Sequence, residues 1–244
     1  MIGTKIMEIN YVIIGSNTNP LYYDFWPIIS KVWKNNFNIT PVLGLICEEN
    51  SDFINTEYGL IKKFKCIDNI DSGLQSQIIR LYLPKLLNGN CLISDIDMLP
   101  LSKKYFIDIP KSFTDDDFIL FSADNPECIS SQQFPMCYVL GNSEKYKEIF
   151  DLNLEWEDFA NLLNSLNFGW FTDQRYLYEK VLEKAYTCKF LERGWSGQAV
   201  RRIDRINWTY DENLLKNDYY IDSHLLRPYD AYKKEIDKLI NLIT

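Results

Sequence analysis

The sequence predicts an α/β fold, an α/β/α sandwich built as one domain over residues 1–244 around a mostly parallel central sheet. Three observations carry that expectation. Short apolar runs of strand length alternate with longer segments of helical spacing through the first half of the chain. Several of these runs stop abruptly at polar residues. The sharpest stop is in residues 88–101 (NGNCLISDIDMLPL), where Cys91-Leu92-Ile93 gives way to Asp95 and Asp97. A chain of 244 residues, 46% hydrophobic and 25% charged, also has the size and balance of one ordinary globular domain.

Taken in order, residues 8–14 (EINYVII) alternate and then run apolar into Gly15-Ser16-Asn17, a first strand with a polar end. Residues 22–34 carry Phe25, Ile28, Ile29 and Val32 at helical spacing. Residues 41–47 (PVLGLIC) and 59–66 read as the second and third strands. Asp71-Ser72 forms a helix cap, and Leu74, Ile78 and Leu81 then make one apolar stripe. The strand at 91–93 follows, closed by Pro100. Further strands are expected at 118–122 and 136–140, and helices at 143–150, 155–166 and 172–184. Residues 185–191 and 219–223 complete the strands, a basic stretch runs from 193 to 205, and residues 229–243 form a terminal amphipathic helix.

Composition narrows the function. The net charge of −8 and pI near 4.8 argue against a nucleic-acid backbone as partner. The same acidity admits an anionic substrate only where a cation or local arginines offset the field. Six cysteines (47, 66, 91, 128, 137 and 188) form no Cys-x-x-Cys pair and read as free thiols in a reducing compartment. The first sixteen residues lack the pattern of a signal peptide and no apolar run is long enough to span a membrane, so a cytoplasmic protein starting at Met1 is expected. Aromatic residues make up 15% of the chain, and most are expected in the core.

Carboxylates at the carboxyl end of a strand sit where open α/β sheets bind ligands. Asp95 and Asp97 are two residues apart, so in extended chain both point the same way and can reach one cation. Hard divalent cations take oxygen ligands and share them with phosphates, which points to a metal–diphosphate site. A second Asp-x-Asp, at 115 and 117, lies in a polar loop and reads as solvated surface. His224, the one histidine of the chain, follows the late strand and could reach the same edge as Asp97.

The order of these motifs resembles a family, the retaining glycosyltransferases of the GT-A fold that include glycogenin and bacterial lipopolysaccharide galactosyltransferases. Its pattern is a helix with an arginine, a strand ending in Asp-x-Asp, an Asp-Gln pair opening a later helix, and a histidine shortly before a basic-Pro-aromatic triplet. This chain has Arg80, Asp95-Ile96-Asp97, Asp173-Gln174, and His224 with Arg227-Pro228-Tyr229, over roughly residues 9 to 230. The resemblance implies a Rossmann-like GT-A domain that transfers a sugar from a UDP-sugar to a glycan, glycolipid or protein acceptor, with retention, using Mn2+ or Mg2+. It implies Asp95, Asp97 and His224 as metal ligands, Asp95 also touching the ribose, and Gly15, Ser16 and Asn17 lining the nucleoside pocket. Arg80 would lie near the sugar or the aspartates, Asp173 and Gln174 beside the reacting carbon, and Arg227 on the phosphates. No nucleophile is assigned to Asp173, and Gln174 would position the sugar.

Two positions depart from the pattern: the triplet is Arg-Pro-Tyr where Lys-Pro-Trp is usual, and Tyr178 stands where an asparagine is common. Weaker candidates are the cluster Arg193, Arg201, Arg202 and Arg205 as a phosphate-closing loop or a solvated face, Trp170, Phe171 and Trp195 as a sugar platform, and Tyr22 or Tyr23 against the base. The competing readings are a donor-binding protein that has lost turnover and a metal-dependent phosphohydrolase or nuclease.

Overall fold

The structure is a computed structural model that describes residues 5–48, 52, 55–121, 130–184, 188–192 and 201–243. Its main sheet has seven strands in the order β3-β2-β1-β4-β7-β6-β8. These are β1 Tyr11–Asn17, β2 Thr40–Cys47, β3 Leu60–Lys65, β4 Asn90–Ser94, β6 Phe118–Phe121, β7 Tyr138–Asn142 and β8 Lys189–Leu191. Pairings are parallel from β3 through β4 and between β6 and β8, while β7 runs antiparallel to both its neighbours. The mostly parallel sheet expected from the sequence is therefore present.

The two-residue period of the strands sorts their side chains onto two faces. Val12, Ile14, Leu43, Leu45 and Leu92 pack on one face against α2 (Trp26–Phe37) and α8 (Lys233–Ile243), through Trp26, Ile29, Trp33, Ile236 and Leu239. Ile13, Val42, Cys91, Ile93 and Val139 pack on the other face against α3 (Ser72–Tyr82), α4 (Ser143–Phe150), α5 (Trp156–Ser165) and α6 (Thr172–Glu183). Both faces are covered, which is why these strands read as unbroken apolar runs. The large aromatics are core, as expected: Trp26, Trp33, Tyr138, Tyr146 and Phe25 are fully buried.

Several boundaries differ from the sequence reading for identifiable reasons. The first strand begins at Tyr11 rather than at Glu8, and it keeps the polar end read at Gly15-Ser16-Asn17, where its parallel register with β2 sets Asn17 opposite Ile46. The helix expected over 22–34 is split into α1 (Pro20–Tyr23) and α2. Pro27 has no amide hydrogen to donate to the preceding turn, so it fits only in the first turn of a new helix. The strand expected at 136–140 lies at 138–142, and that at 219–223 is β10, Asp222–His224, which makes His224 its last residue. Of 118–122 and 185–191, positions 122 and 185–187 lie outside the described residues.

A second, three-stranded sheet was not anticipated. Its order is β5-β10-β9, with β5 at Met98–Pro100 and β9 at Arg202–Ile203. Pro100, expected to end the Asp-x-Asp segment, is itself the last residue of β5. Strands of two or three residues, one holding a proline, carry too little pattern to be seen in sequence. Helix α7 (Glu212–Lys216) precedes β10 and was likewise unseen.

Candidate active site

A cavity of about 690 Å³ opens at the carboxyl ends of β1 and β4, between them and the small sheet. The ten residues implied by the motif order line it: Gly15, Ser16, Asn17, Arg80, Asp95 and Asp97 from the first half, and Asp173, Gln174, His224 and Arg227 from the second.

Helix α3 delivers Arg80. The Asp71 side chain caps this helix by accepting from the Leu74 amide at 3.0 Å, as the sequence implied. The helix crosses β1 where Gly15 leaves room: a Cβ there would lie 2.0 Å from the Ser76 carbonyl oxygen. Gly15 thus sets the helix–strand approach as well as lining the cavity. Arg80, 5% exposed, then donates through Nη1 to Asp95 and through Nη2 to Asp173 at 2.6 Å. Burial by itself would lower the Arg80 pKa, and Asp95 and Asp173 together turn the balance upward, so it stays charged.

Asp173 opens α6 and is 1% exposed. One of its oxygens takes the Arg80 hydrogen bond and the other accepts from the Gln174 amide at 2.8 Å. Burial raises its pKa against the pull of Arg80. With both oxygens engaged, the carboxylate is placed to orient Arg80 and the helix start. Neither of its oxygens is without a hydrogen-bond partner.

The small sheet delivers the other half. β10 runs antiparallel to β5 with His224 opposite Met98, and parallel to β9 with Asp222 opposite Arg202. This register sets His224 beside Asp97, which immediately precedes β5, and the Leu225 amide donates to the Asp97 carbonyl at 2.9 Å. His224 Nε2 lies 3.6 Å from Asp97 Oδ2. Burial lowers the His224 pKa, with Asp97 opposing, so the ring is neutral at pH 7. Arg227 Nη1 lies 3.8 Å from the same Asp97 oxygen, and its guanidinium stacks on Tyr22 at 4.9 Å. The Arg227–Pro228 peptide is cis.

Sequence reasoning ranked one residue here too low. Arg205, on the turn after β9, donates through Nη2 to Asp97 Oδ2 at 3.0 Å and through Nε to His224 Nδ1 at 3.2 Å. Its neighbour Arg202 pairs with the buried Asp222 through two bonds of 2.7 Å, and both Arg202 and Arg205 line the cavity. Only the small sheet brings these residues against Asp97, so the basic stretch alone held no signal separating Arg205 from Arg201. Arg201 instead binds the Tyr219 carbonyl at 2.7 Å, and Arg193 and Trp195 lie outside the described residues.

A carboxylate beside an imidazole is a donor set whose chemistry suits a hard or borderline divalent ion. As the side chains stand, no three such groups converge among the described residues. Asp95 is tied to Arg80, and Arg205 spans Asp97 and His224. The other candidates separate cleanly. Tyr22 lines the cavity while Tyr23 is packed in the core; Trp170 lines the cavity at 62% exposure, with Phe171 exposed beside it. Tyr178 packs on Phe134 at 5.1 Å. The second Asp-x-Asp is half-buried rather than solvated surface: Asp117 accepts from the Thr114 amide at 2.8 Å within a local turn, and Asp115 accepts from the Asn90 side chain at 2.7 Å, tying that turn to the start of β4.

This architecture is the Rossmann-like GT-A fold of glycosyltransferases. Among solved structures it is similar to the galactosyltransferase LgtC in complex with donor and acceptor sugar analogues, at 12% identity and a TM-score of 0.50, covering 96% of this chain and 95% of that one. It is also similar to the glycosyltransferase GlyE of Streptococcus pneumoniae, at 14% identity and a TM-score of 0.50, covering 96% of this chain but only 62% of that one. At such identities the likeness is one of fold. No family model and no curated protein sequence matches the chain.

Proposed function

We propose that this protein is a glycosyltransferase that takes a sugar from a nucleotide-sugar donor, a UDP-sugar, and passes it to a glycan, glycolipid or protein acceptor. One observation carries the reading. Within a GT-A fold, Asp95, Asp97, Arg80, Asp173, Gln174 and His224 converge on a single cavity at the carboxyl edge of the sheet, although they are scattered through the chain.

In the proposed reaction the bond from the anomeric carbon to the diphosphate oxygen breaks and a bond to an acceptor hydroxyl oxygen forms on the same face. The hydroxyl proton passes to the leaving diphosphate. Gly15, Ser16 and Asn17 line the nucleoside end, Arg227 meets the phosphates, and Gln174 orients the sugar. Arg80 and Asp173 hold one another rigid beneath the reacting carbon. Asp97 and His224, joined by Asp95, would hold Mn2+ or Mg2+, which supplies Lewis-acid stabilisation of charge on the departing oxygen. Trp170 offers an exposed ring for an acceptor sugar. The free thiols of Cys47, Cys66, Cys91, Cys137 and Cys188 support a reducing, cytoplasmic setting, and no helix among the described residues is long and apolar enough to cross a membrane.

The test is UDP binding followed by turnover. UDP is expected to raise the melting temperature more with Mn2+ than with a chelator, and a panel of nucleotide-sugars should yield one that is slowly hydrolysed without acceptor. Stabilisation by no nucleotide under either condition would refute the reading. Binding with no hydrolysis of any donor would leave a donor-binding protein without turnover.

A further inference from the structure

We propose that Arg205 is the resident cation of this site: it holds the Asp97–His224 edge when no divalent ion is bound, yields that edge to the ion, and then turns its guanidinium to the donor's phosphates. The proposal rests on the nucleotide-sugar reading for its second half only.

One guanidinium engages both side chains an ion would need, Asp97 through Oδ2 at 3.0 Å and His224 through Nδ1 at 3.2 Å, the ring nitrogen away from the one that faces Asp97. The Nε hydrogen bond uses the Nδ1 lone pair, so the ring proton sits on Nε2, facing Asp97 at 3.6 Å. A metal needs the Nε2 lone pair. Once Arg205 leaves, that proton can sit on Nδ1, where Asp204 Oδ2 waits 3.6 Å away to receive its hydrogen bond. The number of protons on the ring does not change. The other Asp204 oxygen accepts the Ile206 amide at 2.9 Å, which leaves Oδ2 turned to the ring. Ion entry and arginine departure are therefore one exchange.

The rest of Arg205 fits a phosphate ligand. Its Nη1 is buried and has no hydrogen-bond partner among the described residues. It rides on a tight turn closed by the Asn207 amide to the Asp204 carbonyl, whose next residue, Ile206, is 94% exposed, so the turn has room to move. Arg227 stays within 3.8 Å of Asp97, so the carboxylate is not stranded when Arg205 swings away. Guanidinium groups bind phosphate oxygens with paired, charge-assisted hydrogen bonds that a lysine cannot copy.

The experiment compares Mn2+ binding, followed by electron paramagnetic resonance without nucleotide, in wild type, Arg205→Gln and Arg205→Lys. Circular dichroism confirms that each variant is folded. Losing one charge-assisted competitor is expected to tighten Mn2+ binding about tenfold in Arg205→Gln. Arg205→Lys, which keeps the charge but cannot span both groups, should fall between. At saturating Mn2+, UDP should bind Arg205→Gln about tenfold more weakly than wild type, through the lost phosphate contact. Equal or weaker Mn2+ binding in Arg205→Gln, or none in any of the proteins, overturns the proposal. Tighter Mn2+ with undiminished UDP binding overturns its phosphate half. If wild type binds no UDP at all, the nucleotide reading fails, while the Mn2+ series still decides whether Arg205 holds the edge.

Discussion

Replacing Arg80 by methionine removes the positive charge between Asp95 and Asp173 while keeping much of the side chain's volume. Asp173 is 1% exposed and, among the described residues, keeps only the Gln174 amide as partner, so the variant buries an uncompensated carboxylate. Breaking a buried pair from one side costs about 3–5 kcal/mol, which for a chain of this size is a fall of roughly 6–20 °C in melting temperature. The loss depends on pH. Burial already raises the Asp173 pKa, and Arg80 opposes that rise, so in Arg80→Met the folded pKa climbs further above its unfolded value. The folded variant then binds more protons than the unfolded chain, so its stability falls as pH rises through the folded pKa and recovers in acid. Urea unfolding at pH 7.5 and pH 5 reads this directly. The deficit relative to wild type should be larger at pH 7.5, and Arg80→Met/Asp173→Asn should regain most of it. A single variant as stable as wild type at pH 7.5, or a double variant no better than the single, would refute the buried-triad argument.

Other outcomes follow from the same geometry. Asp97→Ala should abolish acceptor-free hydrolysis of the donor while retaining the fold; turnover at the wild-type rate would remove Asp97 from the chemistry. Gly15→Ala puts a Cβ 2.0 Å from the Ser76 carbonyl oxygen and should destabilise by about 1–3 kcal/mol, read by urea unfolding, while displacing Arg80 enough to weaken UDP binding. The Cys91 and Cys188 thiols, pushed up to about 12 by burial, should resist a thiol reagent at pH 8 until the chain unfolds. His224, the one histidine of the chain, gives a single imidazole resonance whose midpoint should lie below about 6.5. The unfolded chain then binds the extra proton first, so stability should decline as pH drops below that value.

What was legible in the sequence was what one element carries by itself. The buried strands announced themselves as apolar runs because helices cover both faces of the sheet, and the Asp71 cap and Leu74–Ile78–Leu81 stripe marked α3. Asp95 and Asp97 could be placed at a strand end without knowing the neighbours. The site's other half was hidden because the small sheet makes it. β5, β9 and β10 have two or three residues each, too few to show a period, and their pairing alone sets Arg205 against Asp97 and His224. The join of the two halves entered through His224, read at the end of a late strand and within reach of the Asp97 edge, and through the resemblance in motif order. The break before Pro27 was missed for a different reason, since hydropathy does not register a missing amide hydrogen.

The most direct test is a crystal of the protein grown with UDP and Mn2+, examined at the manganese absorption edge. A peak within bonding distance of Asp97 and His224, with the diphosphate against Arg227 and the uridine along Gly15–Asn17, is the expected result. A nucleotide bound outside this cavity, or a manganese peak remote from both side chains, would contradict it.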